Sequence, residues 1–338
     1  MYETLHQLAL EHKLAPAQTR ALWQLSGLHR PPPGVHRWLR TGLMLAAALL
    51  LGAGLIFWVA ANWAAQSRMF KLHLLQAAAA VPMLAALALP ASRQALRMAL
   101  TLLGTLALGG VLAYIGITYQ TGADAWELFA TWAALAIVWV GVLRSDWLWA
   151  LWLLIAGAAI GSWSGQALFN PLVNLLSWRS THNLATSLLW LAVFSWPLLL
   201  AGLGGVRDGQ MRPARPVISM RLAAMLAIGA WGTQALLFLF RRNADYAGFA
   251  MNAALVLLAG WVGWRSPWRD LVVLGLSLLA INVLGFGWLG RMLFWEARLD
   301  SGGLLLFSAC AAVSVGLSAR WLYQQQRQQQ QQEVRDAR

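Results

Sequence analysis

Charged side chains are scarce in this sequence. Asp, Glu, Lys and Arg make up 11% of the 338 residues, whereas hydrophobic residues make up 59%. Soluble globular proteins carry about 25% charged residues, because their folded surface must be solvated by water. The shortage of charge therefore excludes a soluble globular domain, and the abundance of apolar residues excludes an intrinsically disordered chain.

Cysteine is almost absent. The single cysteine, Cys310, lies within an apolar block, which excludes an internal disulfide bond and a cysteine-ligated metal cluster. The six histidines show neither an i, i+4 pair nor an HExxH pattern, and the sequence contains no Walker A, GxSxG or strand-linked GxGxxG motif. We therefore expect no metal, no cofactor and no ATP hydrolysis by this chain, and we find no catalytic motif.

Long apolar blocks fill most of the sequence. Each block has about the length that an α-helix needs to cross a bilayer. They predict an all-α, polytopic integral membrane helix bundle of about ten transmembrane helices within residues 41–322. The predicted spans are about 41–61, 72–89, 98–117, 128–143, 147–163, 184–203, 220–240, 247–264, 269–289 and 302–322.

Polar segments flank this predicted bundle at both ends. Residues 1–40 are basic and too weakly apolar to insert, and Pro16 suits the first turn of a helix, so we expect a short cytoplasmic helical hairpin followed by a stiff link at the three prolines 31–33. Residues 323–338 are rich in glutamine, and they predict a cytoplasmic tail that either extends the last helix or is disordered.

Basic residues are distributed unequally about the predicted spans. Eighteen Lys and Arg residues fall on the N-terminal side of ten spans and seven fall on the opposite side. The positive-inside rule therefore predicts that both termini are cytoplasmic. The net charge of +13 is scattered singly between apolar blocks, so we expect anionic membrane lipids as partners and no nucleic acid.

A polar loop interrupts two long apolar runs at residues 118–127 and contains no Lys or Arg. Its candidate site residues are Tyr119, Gln120, Thr121, Asp124 and Glu127. Acidic groups at a membrane edge are typical of a site for a proton, a cation or a polar ligand. Asp124 and Glu127 also have the spacing of a helix N-cap and its N3 partner, so a purely structural capping role is the alternative.

Two basic residues lie on the same predicted side as this acidic loop. Arg68 and Lys71 follow the first predicted span. One hypothesis is that they form ion pairs with Asp124 or Glu127 and thereby stabilise the fold. The other is that the two loops together enclose a gated polar pocket.

Two stretches of the sequence are similar to each other. Residues 123–147 and 244–268 share an acidic start, an AAL core and an exit from WVG to RS. Because the two stretches are four spans apart, a true duplication would be a parallel repeat. The alternative is a chance match in a composition dominated by Ala, Leu and Trp.

The stretch YIGITYQTGADAWELFATWAAL at residues 114–135, the stretch FWVAANWAAQSRMFKLHLLQ at residues 57–76 and the helical N-terminal arm together resemble a known family. It is the bacterial predicted-membrane-protein family called domain of unknown function twenty-one fifty-seven. The resemblance implies a multi-spanning bacterial inner-membrane protein without assigned activity, often encoded beside a second multi-span membrane protein. It brings no catalytic residues.

Three functions are compatible with these features. The first is transport or the handling of a lipid or small molecule, with the acidic outer-edge loop as its site. The second is a non-catalytic assembly or regulatory subunit of a membrane complex. The third is an intramembrane enzyme that uses Asp124 and Glu127 as acid and base. A cavity beside the acidic loop favours the first, and copurification with a membrane-protein neighbour favours the second.

Overall fold

The computed structural model of the chain is built from helices. It describes residues 6, 11–12, 14–25, 35–61, 67–119, 122, 124–165, 183–204, 206, 215–241, 243–265, 268–296 and 301–336. Within these residues every regular element is a helix. The α-helices are α1 (Pro16–Leu25), α2 (Val35–Ala61), α3 (Arg68–Ala88), α4 (Gln94–Tyr119), α5 (Ala125–Leu143), α6 (Asp146–Ser164), α7 (Asn183–Gly202), α8 (Val217–Leu239), α9 (Tyr246–Trp264), α10 (Leu271–Gly290) and α11 (Ser301–Asp336).

The predicted spans correspond one to one with the helices α2 to α11. Over the part of the chain that the structure describes, nine helices are long and apolar enough to cross a membrane, and the apolar stretch Leu39–Gly54 within α2 is shorter. The all-α, polytopic class is confirmed. The count of ten is reached only when α2, a helix of 27 residues, is included.

The flanking segments agree with the sequence pattern where they are described. Helix α1 begins at Pro16, as the preference of proline for the first helical turn predicted. Most of the other half of the predicted hairpin lies outside the described residues, as do the three prolines and the polar segment 166–182. Helix α11 continues through the Gln-rich tail to Asp336, so the tail extends the last helix.

Helix α8 lies at the centre of the second half of the bundle. It packs against α6, α7, α9 and α10, and it is the most buried of the candidate spans in the described chain. Its Trp231 is fully buried beside Phe194 of α7, with ring centroids 5.9 Å apart. Helix α6 connects this half to α4 and α5, whereas α11 packs mainly on α10.

Tryptophan indoles join neighbouring helices inside the bundle. The Nε1 atom of Trp132 on α5 donates to the carbonyl oxygen of Thr105 on α4 at 2.8 Å. In the same way, Trp152 on α6 donates to Ala133 at 2.9 Å. Trp149 on α6 is buried, and its ring centroid lies 5.8 Å from the ring centroids of Trp152 and Trp196.

Polar contacts join the helix starts and loops at one end of the bundle. The Asp146 carboxylate at the start of α6 accepts hydrogen bonds from Ser219 of α8. Arg221 of α8 forms a 2.9 Å ion pair with Asp270, which precedes α10. Arg269 donates to Gln325 of α11. We call this the basic end.

Separate contacts join the helix ends and starts at the opposite end. The hydroxyl group of Tyr114 on α4 donates to the carbonyl oxygen of Arg68 on α3 at 2.7 Å. Buried Arg291, which follows α10, donates to the carbonyl oxygen of Leu239 at the end of α8. If ten spans cross the membrane in alternating directions, the two partners of each of these contacts lie on the same side. The packing therefore agrees with ten alternating spans.

The two similar stretches form helices of the same length. Helices α5 and α9 each contain 19 residues, and each follows an aspartate at its N-cap position. The residue after each helix is an arginine, Arg144 in one case and Arg265 in the other. The two similar stretches therefore form helices with corresponding boundaries.

Candidate functional site

The acidic loop lies between α4 and α5. Tyr119 is the last residue of α4, and Asp124 is the N-cap residue of α5. The side chains of Tyr119, Asp124 and Glu127 are all exposed, while Gln120 and Thr121 lie outside the described residues. The loop therefore presents two carboxylates to the surroundings of the bundle.

Asp124 occupies the predicted cap position without making the predicted cap hydrogen bond. Its backbone is extended, with φ of −65° and ψ of 153°, and its side chain accepts no bond from the first turn of α5. The turn closes instead through the backbone, where the Glu127 N–H donates to the Asp124 carbonyl oxygen at 3.0 Å. The Asp124 carboxylate thus remains available to another group.

Asp245 at the start of α9 provides a direct comparison. Its Oδ1 atom accepts a hydrogen bond from the Gly248 N–H at 2.9 Å. We expect Asp245→Ala to lower the free energy of unfolding by about 1 kcal/mol, because that cap bond is lost. Asp124→Ala should lower the free energy of unfolding by less than about 0.5 kcal/mol, because a surface substitution that removes no cap bond is nearly neutral.

Equilibrium unfolding of both variants in mixed detergent micelles measures this difference. Asp124→Asn provides a control that preserves side-chain shape. Equal losses for the two alanine variants would show that Asp124 caps α5 in the membrane-bound protein.

The two basic residues that the sequence suggested as partners lie at the start of α3. Arg68 is exposed, and its carbonyl oxygen accepts the hydrogen bond from Tyr114. Lys71 is only 6% exposed. Within the described residues, no ion pair joins Arg68 to Asp124 or Glu127.

An apolar cavity of about 590 Å³ lies between α2, α3, α4 and α5 and is open on one side, where Leu49 and Ile117 are exposed. We call it the α2–α5 cavity. Its volume falls in the range of about 300–1,000 Å³ that is usual for small-molecule sites. The residues that line it are Leu49, Gly52, Ala53, Leu75, Leu106, Gly109, Gly110, Ala113, Tyr114, Ile117, Leu128, Phe129 and Trp132.

Close packing of α4 on α5 shapes one wall of this cavity. A Cβ atom at Gly109 would lie 2.5 Å from the Trp132 ring, so only glycine permits this approach. The Trp132 ring is fixed by its hydrogen bond to Thr105 and stacks on Phe129, with centroids 6.2 Å apart. At the opposite wall, the Tyr114 hydroxyl is directed to the Arg68 carbonyl oxygen. The lining consequently offers an almost entirely apolar surface.

The cavity reaches the helix ends that carry the acidic loop. Ile117 lies two residues before the end of α4, and Leu128 directly follows Glu127 in α5. The acidic loop therefore borders the apolar cavity. The sequence predicted the polar loop but not the cavity. The Gly109–Gly110 pair in the sequence marks the helix contact beside the cavity, because small residues let neighbouring helices approach closely.

The fold defines a polytopic helical membrane protein. Residues 6–149 match the family model described as predicted membrane protein (DUF2157), which confirms the family resemblance over that part of the chain. No curated protein and no solved structure matches the chain. The α2–α5 cavity and the acidic loop both lie within the matched residues.

Proposed function

We propose that this membrane protein handles a lipid or a hydrophobic small molecule, which binds in the α2–α5 cavity. The observation that supports the proposal is the cavity itself, with a volume of about 590 Å³ and an apolar lining. A bound ligand is held there by contact with Leu, Ile, Phe and Trp side chains. Few polar groups line the cavity.

The length of the cavity fits one hydrocarbon chain of a lipid. Leu106 and Ile117 line it on the same helix, and a helical rise of 1.5 Å per residue separates them by about 16 Å. This is about half of the roughly 30 Å hydrocarbon core of a bilayer. A lipid in one leaflet therefore places an acyl chain in the cavity and its headgroup near the acidic loop.

The acidic loop is the polar part of the proposed site. Asp124 and Glu127 are exposed at the end of the cavity, and we propose that they contact the polar part of the ligand or exchange a proton or cation with it. Tyr119, Gln120 and Thr121 complete the proposed set. The Asp124 carboxylate makes no cap hydrogen bond to α5, which supports this role.

Photocrosslinking tests the proposal. The full chain is reconstituted in vesicles that contain a phospholipid with a diazirine at the end of one acyl chain, and labelled peptides are identified by mass spectrometry. We expect the label on the cavity-lining residues of α2, α4 and α5. Label confined to outward-facing residues such as Leu305 and Leu317 of α11 would contradict a lipid-binding cavity.

We also propose that the protein resides in the bacterial inner membrane with both termini in the cytoplasm. The excess of Lys and Arg at the basic end supports this orientation. In a Cys310→Ser background, Ser92→Cys should react with a membrane-impermeant maleimide only from the cytoplasmic side, and Asn243→Cys only from the outside, since five spans separate these exposed residues. Reaction of both from one side would refute the topology.

A subunit of a membrane complex is the second proposed function. Helix α11 supports it, because its apolar span is the least buried of the candidate spans in the described chain. A second multi-span membrane protein is the partner that this surface would accept. Copurification of that partner with the wild-type chain, and its loss after substitutions on α11, would support the subunit role.

A further inference from the structure

A second pocket lies at the basic end, between the start of α8 and the start of α10. Its volume is about 50 Å³, which exceeds the 10–15 Å³ or so that one water molecule requires. The lining combines two arginines and one aspartate with apolar side chains. The lining residues are Arg215, Pro216, Val217, Met220, Trp268, Arg269 and Asp270.

The described carboxylates at this end are already occupied. Asp270 pairs with Arg221 at 2.9 Å and also accepts from the backbone N–H of Val272 at 2.8 Å. The Asp146 carboxylate accepts two bonds from Ser219, at 3.0 Å and 2.5 Å. Neither carboxylate therefore neutralises the charge of a further cation.

The two arginines of the pocket have no such compensation among the residues that the structure describes. Within the described residues, no carboxylate lies at ion-pair distance from Arg215 or Arg269. Arg269 donates one N–H to Gln325, but its Nε atom is buried and has no hydrogen-bond partner in the described part of the chain. A buried donor of this kind is costly unless a bound group accepts its hydrogen bond. The pocket thus contains excess positive charge and an unused donor.

We propose that this pocket binds a phosphate group. Guanidinium groups match phosphate oxygens in charge and in the geometry of their N–H donors, and Arg269 Nε supplies the unused donor. Trp268 forms an aromatic wall of the pocket. Tryptophan side chains are enriched in the headgroup region of a membrane. The phosphate belongs either to an anionic phospholipid or to a free phosphate ion. This pocket lies at the end of the bundle opposite the acidic loop, so the inference is independent of the α2–α5 cavity.

Binding of short-chain ligands to the full chain in detergent tests the inference. Dihexanoyl phosphatidylglycerol is titrated as the lipid phosphate, inorganic phosphate as the free ion and dihexanoylglycerol as a phosphate-free control. Thermal stabilisation gives the apparent Kd. We expect a phosphate-containing ligand to bind and dihexanoylglycerol not to bind.

Variants separate a built site from general surface charge. Arg215→Gln removes a side chain without any hydrogen bond among the described residues, so folding should be retained, and the apparent Kd should rise at least about tenfold. Arg269→Lys should raise it similarly, because the charge is retained but the planar fork is lost. The matched control is Arg265→Gln, since Arg265 lies in the same loop but stacks on Trp261 at 4.1 Å and does not line the pocket.

The outcomes are distinct. Variant-sensitive binding of phosphatidylglycerol, with weaker binding of inorganic phosphate, identifies a lipid headgroup site. Variant-sensitive binding of inorganic phosphate alone identifies a site for the free ion. The inference is overturned if neither ligand binds the wild-type chain, or if Arg265→Gln weakens binding as much as Arg215→Gln and Arg269→Lys.

Discussion

Replacement of Asp146 by alanine is expected to lower the free energy of unfolding by about 3 kcal/mol or more. The Asp146 carboxylate accepts hydrogen bonds from the backbone N–H groups of Ile218 and Ser219, at 2.6 Å and 3.0 Å, and from the Ser219 hydroxyl at 2.5 Å. Ser219 is fully buried, so its donors cannot turn to water when the carboxylate is removed. The substitution removes the cap of α8 and its polar contact with α6 in one step.

Two milder substitutions at this contact should lower the free energy of unfolding by smaller amounts. Ser219→Ala removes one of the three bonds and should cost about 1 kcal/mol, and Asp146→Asn should fall between the two because the amide oxygen retains part of the acceptor capacity. Equilibrium unfolding in mixed detergent micelles measures all three. If Asp146→Ala costs no more than Asp124→Ala, the carboxylate does not connect α6 to α8.

Replacement of Ala113 by phenylalanine is expected to reduce labelling of the cavity by the diazirine phospholipid about tenfold. Ala113 lines the α2–α5 cavity, so the larger ring occupies the volume of the acyl chain. Extra side-chain volume forced into a filled apolar site costs about 1–3 kcal/mol, and about 1.4 kcal/mol corresponds to a factor of ten in binding. Peptide mass spectrometry of α2, α4 and α5 measures the loss.

Ala134→Phe is the matched control for this variant. Ala134 is exposed on α5 and does not line the cavity, so the same substitution there should leave labelling unchanged. The thermal unfolding midpoint of both variants shows that the fold is retained. An undiminished label in Ala113→Phe would mean that the lipid chain binds elsewhere.

The helices were predictable from the sequence because each span must be apolar over a length fixed by the bilayer. The predicted span 128–143, for example, falls within α5 (Ala125–Leu143), and Asp124 correctly indicated its start. The sequence does not decide whether the tail is helical or disordered, because a run of glutamines carries no apolar pattern. Its helix continues from the preceding span to Asp336.

The candidate site was only partly predictable. Polar residues stand out against an apolar background, so the loop containing Asp124 and Glu127 could be located. The cavity beside it could not, because its lining residues, such as Leu49 and Ile117, have the same composition as residues that face lipid. Capping depends on side-chain orientation, and the identical N-cap residues Asp124 and Asp245 behave differently. The contacts of Arg291 with Leu239 likewise follow from tertiary packing alone.

An experimental structure of the full chain in a phospholipid nanodisc tests the central claim most directly. Lipid handling in the α2–α5 cavity predicts elongated density bounded by Leu49, Tyr114 and Trp132, with its polar end toward Asp124. A cavity that has closed, with α2 in direct contact with Trp132 and no such density, would contradict it.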